Sequence, residues 1–505
     1  MTPEARRSQA PGPGTPKLGS AALTALLLWG CGGDSGGPGP GTAGSAAVPE
    51  PDPVKPPNIL LVSLDTLRAD RLGTYGHDRD TSPFLDRIAA EGARFDDLSA
   101  PSSKTATSHM SMFSGMHPGV HGVRNSYEPE AQAASGDLPL LPEVLAEAGY
   151  RTAAFTGGGM MAGELGFARG FQHQDERGGG ADRVFDRAET WLRDWAATEG
   201  QGDDPRPLFL FVHTYEIHDP YTAPPAWQER FVDPAYAGKI DSTRVELPED
   251  AAEMWKQDPT FYIEVQRRFW DGLQATPEDM DHLSDLYDAG IAYTDHLLEG
   301  LWGAVQELGL SEDILLVITS DHGESLGQHG HLTHESLHQE VLHVPLLVRW
   351  PGRVDAGRTI PEPVQGVDLY PSLLDLAGLE PPVPVQGRSW APRLDADPAV
   401  PGEVDLVWAE LGTPGNEELA LRWGRYKLIG DRPTRTAELF DLVVDPGETI
   451  DGSDNFAEMA RHLSRLAVEL EEANAELAPA YRTVGVTLGA AAQGQLDALG
   501  YTGDE

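Results

Sequence analysis

Two carboxylates and two imidazoles stand close behind apolar runs in this sequence and could together bind a metal ion. Asp65 ends the first run, Asp321 and His322 follow a second, and His218 follows a third. Carboxylate oxygens and a neutral imidazole nitrogen are ligands that divalent metals take. Taken singly, Asp65 could cap the next segment and Asp321 could open a loop. Convergence from separate strand ends would instead build a metal site.

A hydroxyl-rich segment at 100–115 could supply a nucleophile. It places Thr105 and several serines ahead of a predicted helix. A hydroxyl at the start of a helix is well placed for attack, because the backbone amides and the helix dipole there stabilise an anionic ester group. The alternative is that these hydroxyls only cap the helix.

Histidines are concentrated in one stretch behind the apolar run at 314–319. Six of them fall within 22 residues, at His322, His329, His331, His334, His338 and His343. An incidental polar loop could have this composition, but its place directly after a buried strand favours a functional site.

Short apolar runs and helices must position these groups. Five continuous apolar runs predict strands that are covered on both faces, at 58–64, 151–156, 208–213, 314–319 and 345–350. Helical segments lie between several of them, most clearly at 281–302, where apolar residues recur at helical spacing. This alternation predicts an α/β sandwich around a mostly parallel sheet.

The pattern changes after about residue 400, where short apolar segments alternate with turn residues. A smaller antiparallel sheet is predicted there, followed by a charged helix at about 455–476. We therefore expect a catalytic domain at 58–400, a C-terminal subdomain at 401–480 and a tail at 481–505.

The chain is strongly acidic, with 37 Lys and Arg residues against 80 Asp and Glu residues and a formal net charge of −43. Such a surface repels nucleic acid phosphates, so we expect no nucleic-acid partner. The proportions of apolar and charged residues, 40% and 23%, are ordinary for a water-soluble body. Neither the charge nor the composition indicates an oligomeric state.

The N-terminus reads as an export signal. Residues 1–30 combine a basic start with an apolar stretch that is too short to span a bilayer, and a Gly/Pro-rich tether follows at 31–57. The only cysteine is Cys31, so no intramolecular disulfide can form. Leu28-Trp29-Gly30-Cys31 resembles the lipobox of bacterial lipoproteins, although Trp29 is atypical. We expect lipidation of Cys31 and anchoring in the bacterial cell envelope; a plain secretory signal or a buried structural cysteine are the alternatives.

Four segments resemble the sulfatase family, within the alkaline phosphatase superfamily. They are Asn58–Asp65, 100–119, the run Ser-Asp-His-Gly-Glu-Ser-Leu-Gly-Gln-His-Gly with its preceding threonine at 319–330, and Glu438–Glu448. The likeness runs in order from about residue 57 to the end of the chain. It implies an alkaline-phosphatase-like sandwich, with a large mostly parallel sheet between helices and a smaller C-terminal antiparallel sheet with a packed helix.

The resemblance assigns roles to the central residues. Asp65, Asp321 and His322 match the ligands of one divalent metal ion, which could be Ca²⁺, Mn²⁺, Mg²⁺ or Zn²⁺. Thr105 occupies the position of the nucleophile, which in this family also contacts the metal. That position usually holds a cysteine or serine that is converted to formylglycine. The conversion signal Cys/Ser-x-Pro-x-Arg is missing here, and threonine is not a substrate for the conversion, so no formylglycine is expected.

Other matched positions imply supporting roles. His218 and His334 match donors to the transferred group or the general acid for the leaving group. Asn125 matches a substrate-binding asparagine of related hydrolases. His109, which replaces the usual arginine at the substrate-binding site, is expected to position Thr105. Thr66 stands where many sulfatases have a second aspartate, so fewer carboxylates would surround the metal.

Three functions fit these observations. The first is hydrolysis of sulfate esters on a small molecule or a glycan, through a Thr nucleophile that contacts the metal. The second is hydrolysis or transfer of phosphoryl groups on the same fold, including phosphodiesters and phosphonates. The third is a binding lipoprotein that has lost catalysis, which would be marked by missing metal ligands.

Overall fold

A sheet of nine strands forms the middle layer of the protein, which we describe from a computed structural model. The structure describes residues 56–124, 131–200, 206–240, 275–395, 406–413 and 416–499. The strands are β1 (Asn58–Leu64), β2 (Ala93–Ser99), β3 (Gln132–Ala133), β4 (Arg151–Phe155), β5 (His173–Asp175), β6 (Leu208–Thr214), β7 (Ile314–Thr319), β8 (Ser325–Leu326), β9 (Leu332–Thr333), β10 (His343–Arg349), β11 (Arg358–Ile360), β12 (Val364–Gln365), β13 (Leu406–Thr413), β14 (Asn416–Trp423), β15 (Tyr426–Asp431), β16 (Thr436–Asp441) and β17 (Val484–Gly485).

Helices cover both faces of this sheet. The α-helices are α1 (Pro83–Glu91), α2 (Thr105–Ser114), α3 (Pro118–His121), α4 (Leu141–Glu147), α5 (Ala181–Thr198), α6 (Pro225–Gln228), α7 (Pro277–Glu307), α8 (Gln339–Leu342), α9 (Leu369–Leu376), α10 (Ala391–Asp395), α11 (Ala457–Leu477) and α12 (Ala490–Ala498). Short 3₁₀ turns are found at Ala69–Arg71, Gly73–Tyr75, Gly159–Met161, Gly163–Leu165, Gln328–Gly330, Gly366–Asp368 and Ala478–Ala480.

The strand order of the large sheet is β11-β2-β10-β7-β1-β6-β4-β5, with β12 also beside β2. Every pair in it is parallel except the two that involve β10, which runs antiparallel to β7 and β2. The connection from β7 to β10 holds only short elements and no crossover helix, and all of its residues are described. Because no crossover carries the chain back to the start of the sheet, β10 runs beside β7 in the opposite direction. The predicted mostly parallel sheet is confirmed.

The apolar runs are continuous because each central strand is buried on both faces. In β1, Ile59 and Leu61 point into one core cluster, while Leu60 and Val62 point into the other. Helices α2, α9 and α12 supply the first cluster, and α1, α5 and α7 supply the second. Alternating side chains along one strand therefore hold helices on both sides of the sheet.

Helix α7 is longer than the predicted 281–302 because its start is capped. The Thr276 hydroxyl accepts a hydrogen bond from the Asp279 backbone N–H, and the Asp279 carboxylate accepts one from the Thr276 backbone N–H. Pro277 occupies the first turn, where its missing N–H costs nothing. The local signal for this start is therefore polar, and hydrophobic periodicity alone does not reveal it.

The smaller C-terminal sheet is confirmed as an antiparallel meander in the order β13-β14-β15-β16. Leu463 and Ala467 of α11 pack against its apolar face. The signal segment at 1–30, the tether and Cys31 lie outside the described residues, except for the last two tether positions, and the proposed domain limits stay predictions. Within the described part of the chain, no helix is both long enough and apolar enough to cross a membrane.

A buried histidine beside α2 makes the fold sensitive to acid. The His121 ring accepts a hydrogen bond at Nδ1 from the Val123 backbone N–H (3.1 Å), so Nε2 carries the proton that faces the Ser111 hydroxyl (2.9 Å). Burial lowers the pKa of His121 to about 3. Since the unfolded chain binds the proton at a higher pH, stability from this group is present above about pH 6.5 and falls toward pH 3.

We expect the free energy of unfolding to fall by up to about 1.4 kcal/mol per pH unit from this group as the pH drops below 6.5. His121→Gln should flatten this dependence, whereas His462→Gln on the surface helix α11 should not. Denaturant titrations between pH 7 and pH 4 measure the slopes. Equal slopes in wild type and His121→Gln would show that His121 does not titrate in this way.

Candidate active site

Asp65, Asp321 and His322 lie together, as the sequence predicted. Asp65 follows β1 directly, and the other two follow β7, its parallel neighbour in the sheet. The carboxyl ends of adjacent parallel strands meet at one edge, which brings the three side chains together. All three are fully buried, and one ligand atom from each lies within 4.8 Å of the others.

The three side chains suit a divalent cation. Asp65 Oδ1 and Asp321 Oδ2 are buried, yet neither accepts a hydrogen bond from any residue that the structure describes. Buried carboxylate oxygens normally have a partner, and a bound cation would supply one. The His322 ring donates from Nδ1 to the Gly323 carbonyl oxygen (3.0 Å), so the lone pair of Nε2 remains for a metal.

Burial and the charge of Asp321 act on the ionisation of Asp65, whereas nearby imidazoles favour the ionised form of Asp321. Burial raises the pKa of Asp65, and the negative charge of Asp321 adds to the effect. Burial also acts to raise the pKa of Asp321, but the imidazoles of His322, His109 and His213 outweigh it and lower that pKa. A cation between the pair would favour the ionised form of both, which is the electrostatic signature of a metal site.

Thr105 is the first residue of α2 and is buried. Its Oγ1 lies 3.3 Å from His322 Nε2, so the hydroxyl points at the three proposed ligands. Lys104, directly before it, pairs with Glu335 from the histidine-rich loop. Because the first backbone amides of a helix have no acceptor within the helix, the start of α2 is suited to an anionic ester group.

His109 holds the first turn of α2 against β1. Its Nδ1 donates to the Thr105 carbonyl oxygen (2.9 Å), and its Nε2 accepts from the Ser63 hydroxyl (2.9 Å). Burial lowers the pKa of His109 to about 4, so the ring is neutral at pH 7. These contacts support the expectation that His109 positions Thr105, while its contact with substrate stays a prediction.

His218 and His334 face each other across the site. Their Nε2 atoms are 3.3 Å apart, and the His218 Nδ1 lies 2.6 Å from the Asp219 carbonyl oxygen. The His334 ring centroid is 4.6 Å from that of His322, so the pair lies beside the three proposed ligands. Burial, with the charge of Lys104, lowers the pKa of His334 well below its usual value. The pair is placed to share and deliver one proton.

His213 also lies at the site, although it was not among the residues predicted from the sequence. It lies in β6 opposite Ser63 of β1, and its Nε2 donates to Asp65 Oδ2 (3.1 Å). Its Nδ1 accepts from the Gly157 backbone N–H (3.4 Å), which fixes the tautomer. The position of His213 at the end of a buried apolar run was the feature of the sequence that could have identified it. Such partners orient a metal ligand and tune its basicity.

A strained turn presents Asp65. Thr66 has a φ of 58°, which is unusual for a β-branched residue, and the Tyr287 hydroxyl donates to its carbonyl oxygen (2.6 Å). The Ser320 hydroxyl accepts from the Leu67 backbone N–H (3.0 Å) and so ties this turn to the loop after β7. The loops that carry Asp65 and Asp321 are thereby held in fixed relation.

Some predicted groups lie elsewhere. Asn125 and Cys31 are outside the described residues. Of the histidine-rich stretch, His322 and His334 face the site, whereas His343 Nε2 contacts the Asp96 carbonyl oxygen (2.9 Å). Glu324, which the sequence analysis did not assign to the site, is fully buried beside it, and burial together with the charges of Asp219 and Asp65 raises its pKa.

The sequence is similar to known proteins over most of its length. The family model described as Sulfatase matches residues 57–379, and the model described as N-sulphoglucosamine sulphohydrolase, C-terminal, matches residues 327–475. A curated relative, the N-acetylglucosamine-6-O-sulfatase of Bacteroides thetaiotaomicron, is 24% identical in an alignment that covers 85% of this chain and 88% of the relative.

Solved structures share the fold. A protein in complex with its substrate D-glucosamine-2-N,6-O-disulfate superimposes with a TM-score of 0.67 at 22% identity, over 84% of this chain and 99% of that chain. The phosphonate monoester hydrolase of Agrobacterium radiobacter has a TM-score of 0.61 at 20% identity, over 83% of this chain and 96% of that chain. At these identities the likeness concerns the fold.

Proposed function

The chain belongs to the sulfatase family, and from this premise we propose that it is a metal-dependent hydrolase that cleaves sulfate esters with Thr105 as its nucleophile. The observation that carries the proposal is the position of the Thr105 hydroxyl. It stands at the start of a buried helix, 3.3 Å from His322 Nε2, beside two carboxylates whose free oxygens suit a cation.

Asp65, Asp321 and His322 would hold one divalent ion, which would act as a Lewis acid on the ester group. Calcium, magnesium and manganese suit the two carboxylates, and zinc suits the imidazole. His213 supports the set by fixing Asp65 through a hydrogen bond of 3.1 Å.

The protein's own groups supply the nucleophile and the proton. A bond forms between Thr105 Oγ1 and the sulfur atom while the bond from sulfur to the leaving oxygen breaks. The Thr105 hydroxyl proton passes to the His218 and His334 pair, whose Nε2 atoms lie 3.3 Å apart, and the pair gives a proton to the leaving oxygen. The backbone amides at the start of α2 stabilise the transferred oxygens. Water then hydrolyses the ester on Thr105.

The threonine changes how the product leaves. A formylglycine nucleophile releases sulfate through its hemiacetal, and threonine has no such route. Direct attack of water on the Thr105 ester is therefore required. Because His334 and His218 face each other beside His322, they are also placed to take the proton of that water.

A relative named as an N-acetylglucosamine-6-O-sulfatase, and a structure solved with D-glucosamine-2-N,6-O-disulfate as its substrate, support a small sulfated sugar or a glycan as the substrate. A phosphonate or phosphate ester is the second candidate. Thr66 leaves two carboxylates in the ligand set, and a solved phosphonate monoester hydrolase shares the fold. The binding-lipoprotein alternative required missing ligands, and all three are present. Export and a lipid anchor at Cys31 remain part of the proposal.

A substrate panel tests this choice. The metal-stripped protein is reloaded with Ca²⁺, Mg²⁺, Mn²⁺ or Zn²⁺ and assayed on 4-nitrophenyl sulfate, a phosphate diester and a phosphonate monoester. We expect the highest kcat/KM for the sulfate ester, by about tenfold or more, because the chain matches the sulfatase family model and its relatives are named as sulfatases. A preference for the phosphonate would select the second candidate. Absence of turnover with every ester and metal would count against both.

A further inference from the structure

A second group of potential metal ligands lies in the histidine-rich loop, outside the active site. His329, His338 and Glu340 each place one ligand atom within 4.8 Å of the others. His329 and Glu340 line a cavity of about 800 Å³, whose lining includes none of Asp65, Asp321 or His322. The group therefore has its own approach from solvent.

The two imidazoles lie in contact with each other and close to Glu340. Their rings are stacked with centroids 3.7 Å apart and planes inclined by 12°. His338 Nδ1 is buried and has no hydrogen-bond partner among the residues that the structure describes. His329 Nε2 lies 3.7 Å from Glu340 Oε2, which is too long for a hydrogen bond. Each of the three side chains thus keeps a ligand atom for a further group.

The backbone is bent to bring His329 into place. His329 has a φ of 54°, in the left-handed region that a residue with a side chain rarely adopts. Gly327 and Gly330 on either side also have positive φ. A conformation of this kind costs free energy and persists where the surroundings or a bound group hold it.

We propose that His329, His338 and Glu340 form a second metal site, which takes a transition ion such as Zn²⁺. Two imidazoles and one carboxylate favour zinc, cobalt or nickel over calcium and magnesium. The active-site set has the opposite balance, with two carboxylates and one imidazole, so the two sites differ in preference. Of the cations near this group, Lys427 pairs with Glu448 (2.7 Å), Arg68 with Asp70 (2.7 Å) and Arg422 with Asp97 (2.6 Å).

This second site is connected to the active-site loop. The Ser325 hydroxyl donates to Glu340 Oε1 (3.2 Å), and the Gly323 backbone N–H donates to the Val341 carbonyl oxygen (2.6 Å). His322 and His334 lie on the same loop. An ion at His329, His338 and Glu340 would therefore fasten the loop that carries two active-site histidines.

The test separates the two sites by their ligands. Zn²⁺ is titrated by calorimetry into the metal-stripped full chain carrying Asp321→Asn, which disables the first site. His338→Ala and, separately, His329→Ala are added to this background, with His462→Gln as the control. Circular dichroism checks that each variant is folded; His329 is a loop residue, so its variant keeps the test open if His338→Ala does not fold.

We expect one Zn²⁺ per chain in Asp321→Asn and in the His462→Gln control. Binding should weaken by at least about 100-fold in either alanine variant, because even loss of a group that supports a ligand costs about 10- to 100-fold. No saturable Zn²⁺ binding in Asp321→Asn, or equal affinity with and without the two histidines, would overturn the second site. Neither result depends on turnover, so the proposed function is tested separately.

Discussion

Replacement of Thr105 by alanine is expected to lower kcat/KM for the preferred ester by about 10⁴ to 10⁶, the range found when a nucleophile is removed from a preorganised site. The reason is chemical. The Thr105 Oγ1 would form the new bond to the transferred group, and it is held at the start of α2 close to His322 Nε2. Steady-state kinetics with the metal-loaded protein measure the loss.

Two variants control this prediction. Thr105→Ser keeps a hydroxyl at the same place and should retain far more activity than Thr105→Ala. Thr107→Ala lies two residues along the same buried helix and should change kcat/KM by less than about tenfold, since it removes no reacting group. Activity of Thr105→Ala within tenfold of the wild type would show that another group makes the bond.

The second large effect concerns the metal ligands. In metal-free protein, Asp65 and Asp321 are buried together, and burial and the negative charge of Asp321 raise the pKa of Asp65. Asp321→Asn removes one charge, so we expect this variant to be at least as stable as the wild type without metal. With Mn²⁺ added, the order should reverse, because only the wild type binds it tightly. At 100 times the dissociation constant the gain is about 2.7 kcal/mol.

Thermal unfolding with EDTA and with Mn²⁺ measures the relative stability of the wild type and Asp321→Asn without and with metal. Activity should fall by about 10³-fold or more in Asp321→Asn, as it should in the stripped wild type until metal is returned. Asp375→Asn, an exposed carboxylate on α9, is the matched control and should respond to Mn²⁺ as the wild type does. An equal response of Asp321→Asn and the wild type would place the metal elsewhere.

The central strands could be predicted because burial on both faces leaves a continuous apolar run. β1 and β7 are of this kind, and the polar residues behind them are therefore conspicuous. Strand β2 was not predicted, since Ala93–Ser99 includes Arg94, Asp96 and Asp97 and its burial is mixed. The direction of β10 was also beyond the sequence, because it depends on how a loop of short elements returns to the sheet.

The site was predictable where chemistry and strand ends coincide, as at Asp65 and Asp321. The site was harder to predict where one residue acts through another. His213 stands inside an apolar run, and its bond to Asp65 depends on the register of β1 with β6. The pairing of His329 with His338, nine residues later, depends on a left-handed backbone at His329. Such relations come from tertiary structure, and neither composition nor spacing encodes them.

The central claim is that Thr105 becomes covalently modified during turnover, and acid quenching in the steady state tests it most directly. The metal-loaded protein is mixed with excess of its preferred ester, quenched, digested and analysed by mass spectrometry. We predict one sulfuryl group, or a phosphoryl group if a phosphorus ester is preferred, on Thr105, and none in Thr105→Ser/Asp321→Asn. Full metal-dependent turnover with Thr105 unmodified, together with inversion of configuration at an isotopically chiral transferred group, would contradict the account, because two successive displacements retain the configuration.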